Sequence, residues 1–93
     1  MRRSRSYIAI PPGATIKEQL VDRGMSQGEL AERMGVPERH IAHLLSGDVR
    51  LSAEDAQKLE RVMGIPTDFW IRLEEIYREK LAKIAAENAF DQD

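Results

Sequence analysis

The stretch from Gln27 to Ser46 constrains this chain more than any other feature. Its apolar residues fall at Leu30, Met34, Val36, Ile41 and Leu44, with Ala31 directly after Leu30 and Gly35 directly after Met34. Two helices that cross steeply must touch backbone to backbone, so the crossing residue must be small, and Ala31 meets that need. The chain must then reverse within about three to four residues, and Gly35 takes a positive φ without steric penalty. Ile41, Leu44 and Leu45 form the buried stripe of the second helix. The pattern predicts a helix-turn-helix.

The rest of the chain is punctuated for helices as well. Thr15 with Glu18, Ser26 with Glu29 and Ser52 with Asp55 have the spacing at which a hydroxyl and a carboxylate satisfy each other's end amides. These pairs predict helices from Thr15 to about Arg23, from Ser26 to Gly35, and from Ser52 to Met63. A helix from about Glu38 to Leu45 stops before Gly47, and a long one runs from about Asp68 to Asn88. Pro11-Pro12-Gly13 predicts a break in helix there. The expected organisation is an arm over 1–13, a helix-turn-helix domain over 14–66, and a long helix with an acidic tail over 67–93. The fold class is all-α: five helices with a long C-terminal one.

A helical wheel turns Ile41, Leu44 and Leu45 inward and Arg39, His43 and Ser46 outward, with His40 and Ala42 on the flanks. Glu38 stands near the N-terminal tip, the end of such a helix that meets base edges. Arginine suits guanine O6 and N7, and a glutamate can accept from a cytosine amine. Gln27 can position on phosphate or on a base, and Gly47-Asp48-Val49-Arg50 offers amides and the Arg50 guanidinium to the backbone. The candidate DNA-binding residues are therefore Gln27, Glu38, Arg39, His40, His43, Ser46 and Arg50. Arg2, Arg3 and Arg5 read either as a solvated tail or as a minor-groove arm.

Composition bounds the alternatives. Ninety-three residues allow one domain and leave no room for a separate catalytic one. Without cysteine, disulfides and thiolate metal sites are excluded. No apolar run is long enough to span a membrane, and Tyr7 to Ile10 is too short for a signal peptide, which predicts a cytoplasmic protein. His40 and His43 have ligand-compatible spacing but no third ligand. HExxH and Gly-rich phosphate loops are absent, and Thr15, Ser26 and Ser52 read as caps. The expectation is a protein that is not an enzyme, with no cofactor and no metal. The net charge is −2, with eight Lys/Arg against six Asp/Glu in residues 1–50 and six against ten in residues 51–93. A DNA face therefore belongs to the first half.

Ser26-Gln27-Gly28-Glu29-Leu30-Ala31, then Gly35-Val36 and Ile41, resemble the Cro/C1-type (XRE) repressor domain, whose fold is lambda-repressor-like. Pro12-Gly13, Ile16-Lys17-Glu18-Gln19-Leu20, Leu44-Leu45-Ser46-Gly47, Ala56-Gln57-Lys58-Leu59, Gly64 and Phe69-Trp70 extend the likeness to HigA-type antitoxins over roughly residues 11–81. That resemblance implies operator binding as a homodimer, repression of the protein's own operon and neutralisation of a RelE/HigB-like ribonuclease toxin. One position departs from the pattern. Pro37 stands where a capping hydroxyl residue is usual, and proline cannot cap with its side chain.

In the last helix Phe69, Trp70, Leu73, Ile76, Tyr77, Leu81 and Ile84 recur at helical spacing, while Glu74–Arg78 and Glu79–Lys83 are i,i+4 pairs assigned to the solvated side. Phe69, Trp70 and Leu73 read as core. Tyr77, Leu81 and Ile84 are the candidate dimer surface. The acidic second half suits a basic toxin, because complementary fields speed encounter. A second reading makes the chain the N-terminal DNA-binding regulatory domain of a longer regulator carrying an ImmA/IrrE-like zinc peptidase. The stretch from Tyr77-Arg78-Glu79-Lys80-Leu81 to Glu87-Asn88-Ala89 looks similar to the linker of such proteins.

Overall fold

A computed structural model describes residues 9–91. The expectations for the arginine-bearing arm and for the end of the acidic tail lie outside the described residues. Five helices follow one another: α1 (Pro12–Arg23), α2 (Gln27–Met34), α3 (Glu38–Ser46), α4 (Ala53–Met63) and α5 (Thr67–Asp91). No strand occurs among the described residues. The expected all-α class with a long C-terminal helix is what the chain adopts.

Two of the three expected capping boxes form. Ser26 Oγ accepts from the Glu29 N–H at 3.1 Å while Glu29 Oε1 accepts from the Ser26 N–H at 2.9 Å. Ser52 and Asp55 repeat the exchange at 3.0 and 3.4 Å. The third box, Thr15 with Glu18, does not open α1. That helix starts three residues earlier, with Pro11 as its N-cap, no side-chain cap and Pro12 in the first turn. The expectation that Pro11-Pro12-Gly13 breaks helix was thus wrong at Pro12. Proline has φ preset for a first helical turn, where its missing N–H would be unpaired anyway.

Starting at Pro12 brings Gly13 into the helix, where packing requires a glycine. A Cβ there would stand 2.3 Å from the Leu44 carbonyl oxygen and 2.4 Å from the Leu45 Cα. Only a residue without a side chain lets α1 lie on the backbone of α3 at that distance. At the other critical glycine, Gly35, φ is +73°, as the turn between α2 and α3 demands.

The core joins all five helices. Ile16 and Leu20 of α1 meet Leu30, Ala31 and Met34 of α2, Ile41, Leu44 and Leu45 of α3, Ala56, Leu59 and Met63 of α4, and Trp70 of α5, with Leu51 from the loop before α4. Full burial of a side chain such as Leu30 or Ile41 stabilises the fold by about 1.5–3 kcal/mol. Trp70 is wholly buried, and its indole N–H has no hydrogen-bond partner among the described residues. Phe69 leans edge-on against Trp70, with ring centroids 5.4 Å apart, but is 43% exposed. Of the three residues expected as core, Trp70 is interior, Leu73 packs at its border, and Phe69 faces outward.

Helix α5 has 25 residues, which span about 37 Å at 1.5 Å per residue. The molecule measures 48 × 23 × 22 Å, so α5 must run along the long dimension. Glu60 of α4 fastens its start, accepting from the Thr67 N–H at 3.0 Å and from Thr67 Oγ1 at 2.5 Å.

Candidate nucleic-acid interface

Helices α2 and α3 present their starts side by side. Because Ser26 caps α2, Gln27 is its first residue and is exposed. Pro37 occupies the N-cap of α3 with φ −64° and ψ 148° and makes no side-chain cap. Glu38 follows as the first residue of α3, and its carboxylate reaches back over α2, lying 3.5 Å from where a Cβ at Gly28 would stand. The positive end of the α2 dipole meets this charge there.

Ile41, Leu44 and Leu45 are buried, which fixes the roll of α3 and leaves Arg39, His43 and Ser46 exposed. Their surroundings differ. Arg39 and His43 line a groove of about 420 Å³ along α3, shared with Val36, Pro37, His40, Ser52, Glu54, Asp55 and Lys58. His43 Nδ1 lies 3.4 Å from Asp48 Oδ2, an exposed contact. Ser46 Oγ donates to the His43 carbonyl at 3.1 Å, so its hydroxyl hydrogen is already engaged on its own helix.

His40 is held inward. Its Nε2 lies 3.0 and 3.1 Å from the two carboxylate oxygens of Asp55, and Asp55 is 6% exposed. An ionised carboxylate can only accept, so the ring nitrogen donates. Asp55 also accepts from the Ser52 N–H in the cap of α4, and one carboxylate therefore ties α3 to the start of α4. The side chain expected to face DNA is engaged with the protein's own interior.

Arg50 also sits apart from Arg39 and His43. It lines a separate depression with Glu74, Glu75, Arg78, Glu79 and Ala82 of α5. Gln27, Glu38, Arg39, His43 and Ser46 are thus exposed, with Arg39 and His43 along one groove whose wall includes the His40 ring tied to α4, while Arg50, also exposed, borders a separate depression on α5. Sequence reasoning missed Lys58, which enters the α3 groove from α4 and lies 3.9 Å from Glu54. No local pattern marks Lys58, since its neighbourhood exists only once α4 packs beside α3. The Glu74–Arg78 pair, assigned from spacing to the solvated side, is instead largely interior: Glu74 is 8% exposed, accepts from the Leu51 N–H at 3.2 Å and pairs with Arg78. Among the described residues no cluster of three His, Cys, Asp or Glu could hold a metal ion, and no helix is long and apolar enough to cross a membrane.

A helix-turn-helix family model matches residues 16–70. That is more than half of the chain, which belongs to the helix-turn-helix family of Cro/C1 type. Among solved structures, the chain is similar to an addiction-module antidote protein of the HigA family from Coxiella burnetii, with 26% identity, a TM-score of 0.80, and coverage of 91% of this chain and 94% of that one. It is similar to a Pseudomonas aeruginosa protein in complex with its 18-bp operator DNA, with 25% identity, a TM-score of 0.78, and coverage of 86% and 87%. The Pseudomonas aeruginosa antitoxin HigA, solved with the higBA promoter, shares the fold at 23% identity and a TM-score of 0.81, covering 92% and 95%. No curated protein matches the chain.

Proposed function

We propose that the chain is a HigA-type antitoxin that binds an operator duplex through α3. The observation that carries this reading is the free outer face of α3, with Arg39 and His43 exposed beside Gln27 and Glu38, on a fold shared with a protein solved on its operator. Arg39 contacts a guanine edge in the major groove, and Gln27 and Lys58 contact phosphates on either side. His40 acts indirectly, by holding α3 against α4. One helix of nine residues reads few base pairs, so the protein binds as a homodimer on two half-sites about one helical turn apart. It acts in the cytoplasm and represses its own operon. The acidic second half of the chain receives a basic ribonuclease toxin of RelE/HigB type, whose need to bind RNA makes its surface cationic.

Fluorescence anisotropy on the duplex upstream of the protein's own gene tests DNA binding. Arg39→Ala costs about 1–3 kcal/mol at one base-pair position and leaves other positions unchanged. Equal affinity of the unaltered chain for operator and scrambled duplex defeats the reading. Co-expression tests the toxin: a small basic neighbour-gene product that arrests growth alone is rescued by this chain. A native reading frame running past Asp93 into a segment with HExxH overturns the antitoxin assignment in favour of a peptidase-linked regulator.

A further inference from the structure

Helix α5 holds the loop between α3 and α4 at both ends. At the first end, a Cβ on Gly47 would stand 2.9 Å from the Tyr77 hydroxyl oxygen and 3.1 Å from the Pro11 Cβ. At the other end, the Leu51 N–H donates to Glu74 Oε1 at 3.2 Å, and Leu51 is itself buried. Glu74 and Tyr77 are three apart in sequence and so stand on one face of α5, one turn from each other. Between the two anchors lie Asp48, Val49 and Arg50, and Arg50 borders the depression that Glu74 helps to line.

Glu74 is unusual among the acids of α5. It is nearly enclosed, and it satisfies a backbone amide of another element with one oxygen while pairing with Arg78 through the other. A glutamate serving only as surface charge would not be buried, because a desolvated carboxylate needs partners to offset its lost hydration. The loop has few other polar ties. The Gly47 and Asp48 amides bond back to the Leu44 and His43 carbonyls in closing α3, and Val49 and Leu51 pack their side chains on the core, which leaves the Leu51 backbone to be fixed by the Glu74 carboxylate.

The geometry points to Glu74 as a positioning residue for DNA binding: by accepting from the Leu51 N–H, it sets the course of the loop so that the Val49 and Arg50 amides and the exposed Arg50 side chain meet the duplex backbone. This inference rests on the DNA-binding reading above. It assigns a role in α5, outside the helix-turn-helix, to a side chain that touches no nucleic acid. Phosphate contacts carry no base information, so the loop contributes to every sequence alike.

The test compares Glu74→Leu with Glu74→Gln, whose amide oxygen still accepts from Leu51. Circular dichroism confirms that each variant is folded. Glu74→Leu lowers affinity about tenfold for operator and scrambled duplex equally, and the slope of log affinity against log salt falls by about one phosphate contact. Glu74→Gln restores most of both. Amide exchange at Leu51, read by NMR without DNA, quickens in Glu74→Leu only. A purely structural role would lower helical content or change the operator-to-scrambled ratio without moving the salt slope alone, and that result overturns the inference. So does a folded Glu74→Leu with unaltered affinity and salt slope, or unaltered Leu51 exchange. Should Glu74→Leu prove unfolded, Glu74→Gln and Glu74→Met are read in its place, and unchanged values in both overturn it equally. An unaltered chain that binds no duplex ends the DNA-binding reading itself, and the inference with it.

Discussion

Helices α3 and α5 bury one side each, yet they are held in different ways. In α3 three apolar residues, Ile41, Leu44 and Leu45, anchor nine residues, so no turn is left without a core contact and the roll of the helix is determined. In α5 Trp70 is the one wholly buried apolar residue among the described residues, and it stands in the first turns. Thr67, the first residue of α5, is tied to Glu60, and beyond Trp70 the helix is located by Ile71 and Leu73 at the border of the core and then by the contacts of Glu74 with Leu51 and Tyr77 with Gly47. A helix that reads a surface must present its outer face at one angle, and dense apolar anchoring achieves that because close-packed interiors admit few alternatives. A helix that reaches beyond its domain has no core to lean on, and directional hydrogen bonds take over.

The largest effect is expected at Trp70. Trp70→Ala costs about 3–5 kcal/mol of folding stability by cavity formation, read as a shifted urea midpoint. Ile84→Ala, at a half-buried position in the outer part of α5, removes only about half of a full burial term and costs under about 1.5 kcal/mol. Equal losses would show that α5 is anchored along its length as densely as α3.

A smaller effect separates two histidines of α3. His40→Ala leaves the Asp55 carboxylate buried without its ring partner and costs about 1–3 kcal/mol in the absence of DNA. Asp55→Asn in that background recovers part of the loss, because no uncompensated charge then remains. His43→Ala breaks only an exposed contact with Asp48 and stays within about 0.5 kcal/mol. Thermal unfolding of the variants checks this, and a His40→Ala as silent as His43→Ala would mean that the Asp55 tie contributes nothing to holding α3.

The smallest effect lies at the α4–α5 junction. The Thr67 hydroxyl, and then its N–H, hold the Glu60 carboxyl below its ordinary value of 4.5. A carboxyl whose folded-state value is depressed stabilises the fold fully above its unfolded value, and that stabilisation is lost as pH falls through the lowered one. Melting midpoints of the protein and of Glu60→Gln should therefore differ most above pH 4.5 and converge in more acidic solution. Thr67→Val, lacking the hydroxyl, weakens the dependence. Parallel curves across that range would remove Glu60 from the anchoring of α5.

Much of the recognition unit was legible because its signals are local. Ser26 with Glu29 and Gly35 with its turn act within a few residues, and both behave as their spacing implies. The same logic failed at Thr15, where a correct-looking box lost to a proline start that the packing of Gly13 on α3 requires. Among the candidate site residues, Arg39 and His43 face outward as the wheel predicts, since helical periodicity alone decides that. For His40 and Arg50 the wheel and the loop position gave no warning. Asp55 lies 15 residues from His40, and the acids around Arg50 lie in α5. Tyr77, Leu81 and Ile84, read from spacing as the candidate dimer surface, are half-buried within the single chain, whereas Phe69 and Ile76 are the large apolar side chains of α5 exposed among the described residues.

The sequence by itself determined that this protein is a set of short capped helices around a helix-turn-helix, because caps, turns and amphipathic periods involve neighbours in the chain. Which polar side chains of α3 and α5 stay open to solvent and which are tied to other helices followed from packing alone. Glu38 over the first turn of α2, His40 on Asp55 and Glu74 on Leu51 all depend on partners brought close by packing, and a polar side chain commits to whichever donor or acceptor the folded chain places within about 3 Å of it.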